Sequence, residues 1–246
     1  MTCPAADPGR AWPRGRHLAR LVIPVAAGAG AVSVYALAVR PRIDRLGATE
    51  QEARSPLPCA ETARTSAWGD RLISTRAITI DAPPEAIWPW LVQIGSGRAG
   101  FYTHEWVERL MGITCTDGHS ADRIHPELQD LRLGDRVPYS RFNAIPVVAF
   151  DPPRLLIAGE WFVLRPLDDG TRTRLLVRTR GGWLEPFARR GPLVGPILAP
   201  VAAVADRGPL ELLHHCMEAG MLKGIKTRVE ATAARRGPGH AGAPSA

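Results

Sequence analysis

Nineteen consecutive residues without a charge, "LVIPVAAGAGAVSVYALAV" at 21–39, constrain this chain more than any other feature. As a helix the run would extend about 28 Å at 1.5 Å per residue, close to the thickness of a bilayer core. Its apolar residues are five Val, two Leu and one Ile among Ala and Gly, so insertion is expected to be only modestly favourable. Arginines bracket it: 10, 14, 16 and 20 on one side, 40, 42, 45 and 54 on the other. They favour a single-pass anchor in the cell membrane over a buried core helix. A cleaved signal peptide is the alternative, because Ala36-x-Ala38 fits a small-residue cleavage site. The long basic segment before the run and the arginines directly after it argue against cleavage. Equal charge on both flanks leaves the orientation open.

The remaining boundaries follow from that run. Residues 1–20 are a basic N-terminal segment, 40–70 with "SPLPC" read as a linker, and 71–233 carry the folded domain. Residues 234–246, "ARRGPGHAGAPSA", are too poor in apolar groups to pack and are expected to be disordered. Of the net charge of +7, residues 1–45 alone supply +5. Basic charge gathered beside an apolar run suits a membrane surface, not a nucleic-acid interface on the fold. Cysteines 3, 59, 115 and 216 lie far apart without a C-x-x-C pair, which argues against a disulfide framework or a zinc site and for buried or inert thiols.

Within the domain, "STRAITIDA" at 74–82 alternates as a strand does. "PEAIWPWLVQI" then places Ile87, Leu91 and Ile94 on one helical face, with Pro84 in the first turn after an Asp81 cap and Pro89 expected to shorten or kink the helix. Gly95-x-Gly97-x-x-Gly100 follows. Its spacing is that of a dinucleotide loop, but such a loop must follow a strand. Here it follows a helix and precedes another, "YTHEWVERLMG", read with Thr103 as N-cap and Trp106, Val107 and Leu110 on one side. The glycines are therefore expected to build a helix–helix turn. Strands are predicted near 135–139, 144–151, 154–159, 160–166 and 171–180, with Asp169-Gly170 as a hairpin turn. In the last strand Thr173, Leu175, Val177 and Thr179 face one way; Arg174, Arg178 and Arg180 face the other and are expected to be solvated. "GPLVGPILAPVAAVA" at 191–205 is apolar but broken by proline, and reads as a cavity lid, a core segment or a membrane-dipping loop. A long helix over 208–233 carries the stripe Leu210, Leu213, Met217, Met221 and Ile225.

"ITIDAPPEAIWPWLVQIG", "GRAGFYTHEWVERLMG", "ADRIHPELQDLRLGD" and "MEAGMLKGIKTR" together resemble the SRPBCC superfamily, the START and polyketide-cyclase-like helix-grip proteins, and within it a membrane-anchored bacterial subgroup. The resemblance covers roughly 68–233. It implies an α+β fold: a curved antiparallel sheet around a long C-terminal helix, here preceded by the transmembrane helix. It also implies an apolar cavity between sheet and helix. Aromatic residues placed to approach such a cavity are Trp88, Trp90, Phe101, Tyr102, Trp106 and Trp161, with Met217 and Met221 as adaptable walls. Each of them would serve equally as ordinary core packing.

Polar groups with chemical potential gather in 98–127: Arg98, Tyr102, His104, Glu105, Asp122, His125 and Glu127. A histidine beside carboxylates can act as general acid or base near neutral pH. His125-x-Glu127 resembles a metal pair, yet no third ligand is placed by spacing. His214 and His215 diverge by about 100° on a helix and do not share an ion easily. The competing reading makes Asp122, Arg123 and Glu127 salt bridges and caps that pin a loop. No cofactor motif is present. The reading that follows is a membrane-tethered binder or carrier of a small apolar ligand, lipid or polyketide-like. A cyclase or dehydratase-like enzyme using 98–127 and a protein-interaction module are the alternatives.

Overall fold

In β1, Leu72–Ile80, side chains alternate between two environments. Arg76 and Ile80 are buried on one face, while Thr75 and Ala77 belong to the other. The computed structural model describes residues 34–56, 58–59, 72–140, 143–180 and 209–236. The chain divides into two compact units, 1–42 and 43–246. Of the first, the described part is helical: a π-helix at Tyr35–Val39 runs into helix α1, Arg40–Ile43. Residues 21–33 of the expected membrane span lie outside the described residues. Among the described residues no helix is long and apolar enough to cross a membrane.

The second unit is α+β. Helix α2, Glu50–Arg54, precedes β1; helices α3, Pro84–Val92, and α4, Glu105–Leu110, follow it. The strands then run β2 Arg136–Ser140, β3 Asn143–Pro146, β4 Ala149–Asp151, β5 Leu155–Ala158, β6 Glu160–Leu167 and β7 Arg172–Arg180. The long helix α5, Pro209–Arg236, comes last. Five strands form one antiparallel sheet in the order β1-β7-β6-β5-β4, and β2 and β3 form a separate ladder. The expected strand 144–151 is thus two strands. Val147 still donates its N–H to Asp135, while Val148 donates to Ile157, so the chain changes partner ladder between them. The curved sheet and the long helix across it form a helix-grip arrangement.

Periodicity explains the packing. Ile87, Leu91 and Ile94 are all buried, as are Met217, Met221 and Ile225 with Leu222 and Val229 beside them. Helix α3 tolerates Pro89 in its interior, and the Pro89 carbonyl accepts from Gln129. Pro83, not Asp81, occupies its N-cap. Helix α4 is capped by His104, not Thr103, and it buries Val107 while Trp106 and Leu110 stay exposed. The three glycines do close a turn between two helices. Gly95 and Gly100 exchange backbone hydrogen bonds, and φ values of +140°, +71° and +77° at 95, 97 and 100 suit residues without a Cβ. Helix α5 continues to Arg236, so its last turn takes in residues assigned to the tail.

The outer face of the sheet departs from expectation. Arg178 is buried and Arg174 is mostly covered, because residues 44–56 lie over them. Arg178 donates to the carbonyls of Ala53 and Ser55, and Arg174 pairs with Glu52 at 2.8 Å. Asp44 and Leu46 accept from the N–H groups of Thr75 and Ala77 and so cover the free edge of β1. Much of the stretch read as a linker is a strap on the sheet. The 191–205 segment lies outside the described residues.

Candidate functional site

The polar cluster at 98–127 forms a closed network. His125 is fully buried; its Nδ1 lies 2.9 Å from Glu127 and its Nε2 3.1 Å from Asp117. Its backbone N–H donates to Gln93, which also donates to the Tyr102 hydroxyl. That hydroxyl donates to the Trp90 carbonyl at 2.9 Å, and burial pushes its pKa above the ordinary phenol range. Arg98 donates to the carbonyls of Val92 and Leu128. Buried Glu108 accepts from the Phe101 N–H and the Ser120 hydroxyl. Most buried polar atoms here already have a protein partner, Arg98 Nε and Thr103 Oγ1 being exceptions, and such a network pins the loop. His104, Glu105 and Asp122 are exposed on the surface.

The cavity lies elsewhere, with a volume of about 400 Å³. Its apolar wall includes Phe101, Met111, Ile113, Ile145, Leu213 and Met217. Of the residues expected to bind ligand, Phe101 and Met217 line it. Met221 and Tyr102 are in the core, Trp88 packs edge-on against Phe150 at 5.3 Å, and Trp106 is 56% exposed. Trp161 sits on the outer face with Leu155 and Ile157, donating to the Pro58 carbonyl.

One end of the cavity is polar, and strand register builds it. Ser74, Thr179 and Glu160 lie side by side across β1, β7 and β6. Helix α5 presents His214 and Glu218, four residues apart and so on one face. Glu160, Thr179 and His214 line the cavity itself. Behind them Arg76 forms an ion pair with Glu218, both fully buried. Ser74 donates to Glu218 at 3.2 Å, and Thr179 donates to its other oxygen. His214 Nε2 lies 3.0 Å from Glu218 and 4.0 Å from Glu160.

Burial decides the charge states. It raises the Glu160 carboxyl to about 7, despite the nearby Arg76 guanidinium. Burial, with Arg76 beyond, lowers the His214 imidazole to about 3 and the His215 imidazole to about 4, so both are neutral at pH 7. Arg76, lowered by desolvation to about 10, stays charged. A half-protonated carboxyl and a neutral imidazole facing an apolar cavity can donate to, or accept from, one polar group of a bound molecule. No sequence motif marks this end, because Glu160, His214 and Glu218 stand in no recognised spacing. Two signals were available: Arg76 shares the inward face of β1 with Ile80, and Glu218 interrupts the apolar stripe of α5.

Fold and cavity together define a helix-grip α+β domain with an internal site of small-molecule size. No family model matches the chain, and no curated protein matches it. Among solved structures it is similar to the polyketide-cyc-like protein Cgl2372 of Corynebacterium glutamicum, at 10% identity and a TM-score of 0.31, over 69% of this chain and 96% of that one. It is also similar to CalU16 of Micromonospora echinospora, at 16% identity and a TM-score of 0.23, over 64% and 83%. Likenesses this distant carry no functional argument, and the class rests on the topology itself.

Proposed function

We propose that the domain binds a small, largely apolar molecule carrying one polar group, and that residues 21–39 tether it to a membrane. The observation that carries this reading is the cavity: an apolar wall closed at one end by Glu160, Thr179 and His214. A ligand burying about 300 Å² of apolar surface gains roughly 7 kcal/mol before the cost of immobilisation. Binding then needs no charged contact, and the polar end serves to orient the molecule. An apolar cargo delivered from or to a bilayer suits a tethered domain. A second reading, an enzyme of the cyclase or dehydratase type, draws support from Glu160 beside His214. It would place acid–base chemistry there, away from 98–127.

Native mass spectrometry of the gently extracted full chain tests the proposal. A co-purifying small molecule, lost in Met217→Trp and weakened in Leu213→Trp, is the expected result. Absence of any such molecule, together with equal affinity of wild type and both variants for an apolar fluorescent probe, would overturn it. Incubating the recovered molecule with fresh protein separates carrier from enzyme, since only an enzyme changes its mass or spectrum.

A further inference from the structure

Two carboxylates and one imidazole converge at the polar end of the cavity. One ligand atom each from Glu160, His214 and Glu218 lies within 4.8 Å of the other two, and all three residues are buried. A tetrahedral ion with bonds of about 2.0 Å needs its ligand atoms about 3.3 Å apart. The 3.0 Å and 4.0 Å separations from His214 Nε2 straddle that spacing, and the carboxylate–carboxylate separation, within 4.8 Å, would close by up to about 1.5 Å through side-chain rotation.

Glu160 supplies the independent sign of a missing partner. Its side chain is 5% exposed and borders the cavity. Among the described residues it makes no hydrogen bond, and the nearest basic atom is His214 Nε2 at 4.0 Å. A carboxyl group buried without a donor is costly. Arg76 does not fill this role, because it is committed to Glu218. The division of the Glu218 oxygens fits as well. Oε2 is held by Arg76 and Ser74, while Oε1 accepts from the Thr179 hydroxyl and is turned toward His214. Ligating carboxylates are oriented by just such outer hydrogen bonds.

We propose that Glu160, His214 and Glu218 form a binding site for one divalent transition-metal ion, with a coordination position open to the cavity. One imidazole with two carboxylates and no thiolate selects borderline ions such as Zn²⁺ or Mn²⁺ over Ca²⁺ or Cu⁺. The open position would accept an oxygen of whatever the cavity holds. The site stands or falls apart from the ligand reading, since the ion can be measured alone.

The full chain, purified without a polyhistidine tag and stripped with chelator, is equilibrated by dialysis against Zn²⁺ or Mn²⁺, and bound metal is counted by plasma mass spectrometry. One ion per chain is expected for one of them. Glu160→Gln, which keeps shape and leaves the Arg76 pair intact, should weaken binding more than about tenfold, as should His214→Ala. His125→Ala, in the other histidine–carboxylate group, should leave it unchanged. Cobalt substitution should give visible absorption that Glu160→Gln abolishes. Substoichiometric metal in wild type, equal metal in folded Glu160→Gln, or loss only in His125→Ala would each overturn the proposal.

Discussion

Arg76 in β1 and Glu218 in α5 form an ion pair across the grip, with side chains 1% and 0% exposed. The pair joins the edge strand to the helix that closes the cavity. Ser74 accepts from Arg76 at 2.7 Å and donates to Glu218, and His215 Nδ1 faces the same guanidinium at 3.1 Å. Removing one partner of such a pair strands the other charge without water, at a cost of about 3–5 kcal/mol. Arg76→Met is therefore expected to lower stability by about 3 kcal/mol. The double variant Arg76→Met, Glu218→Met should recover most of that loss, because neither charge is left buried. Urea unfolding of the three proteins measures the coupling; equal instability of single and double variants would contradict it.

The strap gives a pH dependence with a definite sign. Arg174 holds the Glu52 carboxyl down at about 2, against 4.5 unperturbed. A folded-state pKa below the unfolded one contributes stability above about pH 4.5, and that contribution disappears as pH falls through about 2. Its upper bound is about 3 kcal/mol, reduced by partial solvent access. Glu52→Gln should thus be less stable than wild type at pH 7, and the difference should shrink steadily below pH 4.5. A difference independent of pH would show that Glu52 acts through packing alone.

Covering of Arg178 by residues 44–56 bears on where the chain can be cut. A protein beginning at residue 43 keeps Asp44, Leu46 and α2 on the sheet. One beginning at 57 leaves the buried Arg178 guanidinium without the Ala53 and Ser55 carbonyls and opens the edge of β1. Unpaired edges template association. The shorter protein is expected to aggregate and the longer to remain monodisperse in size-exclusion chromatography.

Glycines differ by what surrounds them. A Cβ at Gly224 would stand 1.9 Å from the Tyr102 carbonyl oxygen, which is backbone and cannot turn aside. A Cβ at Gly97 would meet only Thr114 Oγ1, at 4.0 Å, although φ there is +71°. Gly224→Ala should separate helix α5 from the 102–103 segment and cost about 2–4 kcal/mol. Gly97→Ala should cost only about 1–2 kcal/mol of left-handed backbone strain. Denaturation midpoints decide, and a dinucleotide should shift neither protein.

Much of this architecture is legible in the sequence because it repeats. A period of two marks β1 and β7, a stripe every three or four residues marks α3 and α5, and Asp169-Gly170 marks the hairpin between β6 and β7. The strap escaped because its partners are remote. Glu52 and Arg174 are 122 residues apart, and an arginine alternating with apolar residues looks the same whether water or another segment covers it. The polar end of the cavity escaped for the same reason, since register across three strands brings Ser74, Thr179 and Glu160 together. In the 98–127 cluster histidine and carboxylates are close in sequence, and that closeness is what lets them satisfy one another locally.

That difference yields a crossed pair of outcomes. His125 is held by Gln93, Asp117 and Glu127, and none of these lines the cavity. His125→Ala keeps the backbone bond to Gln93 but removes the ring's two contacts with Asp117 and Glu127 and opens space in the core, for a loss of about 2–3 kcal/mol. Capture of an apolar probe by the protein that remains folded should be unaltered, because the cavity wall is untouched. Met217 lies in that wall, and Met217→Trp fills the volume a ligand needs, so probe affinity should fall by more than about tenfold. Its effect on stability should be smaller, since added bulk can project into the cavity before it strains the core. Probe titration and urea unfolding on both variants give four numbers. If His125→Ala, while folded, abolished capture and Met217→Trp did not, the binding site would lie in the 98–127 network and the cavity would be only a packing defect.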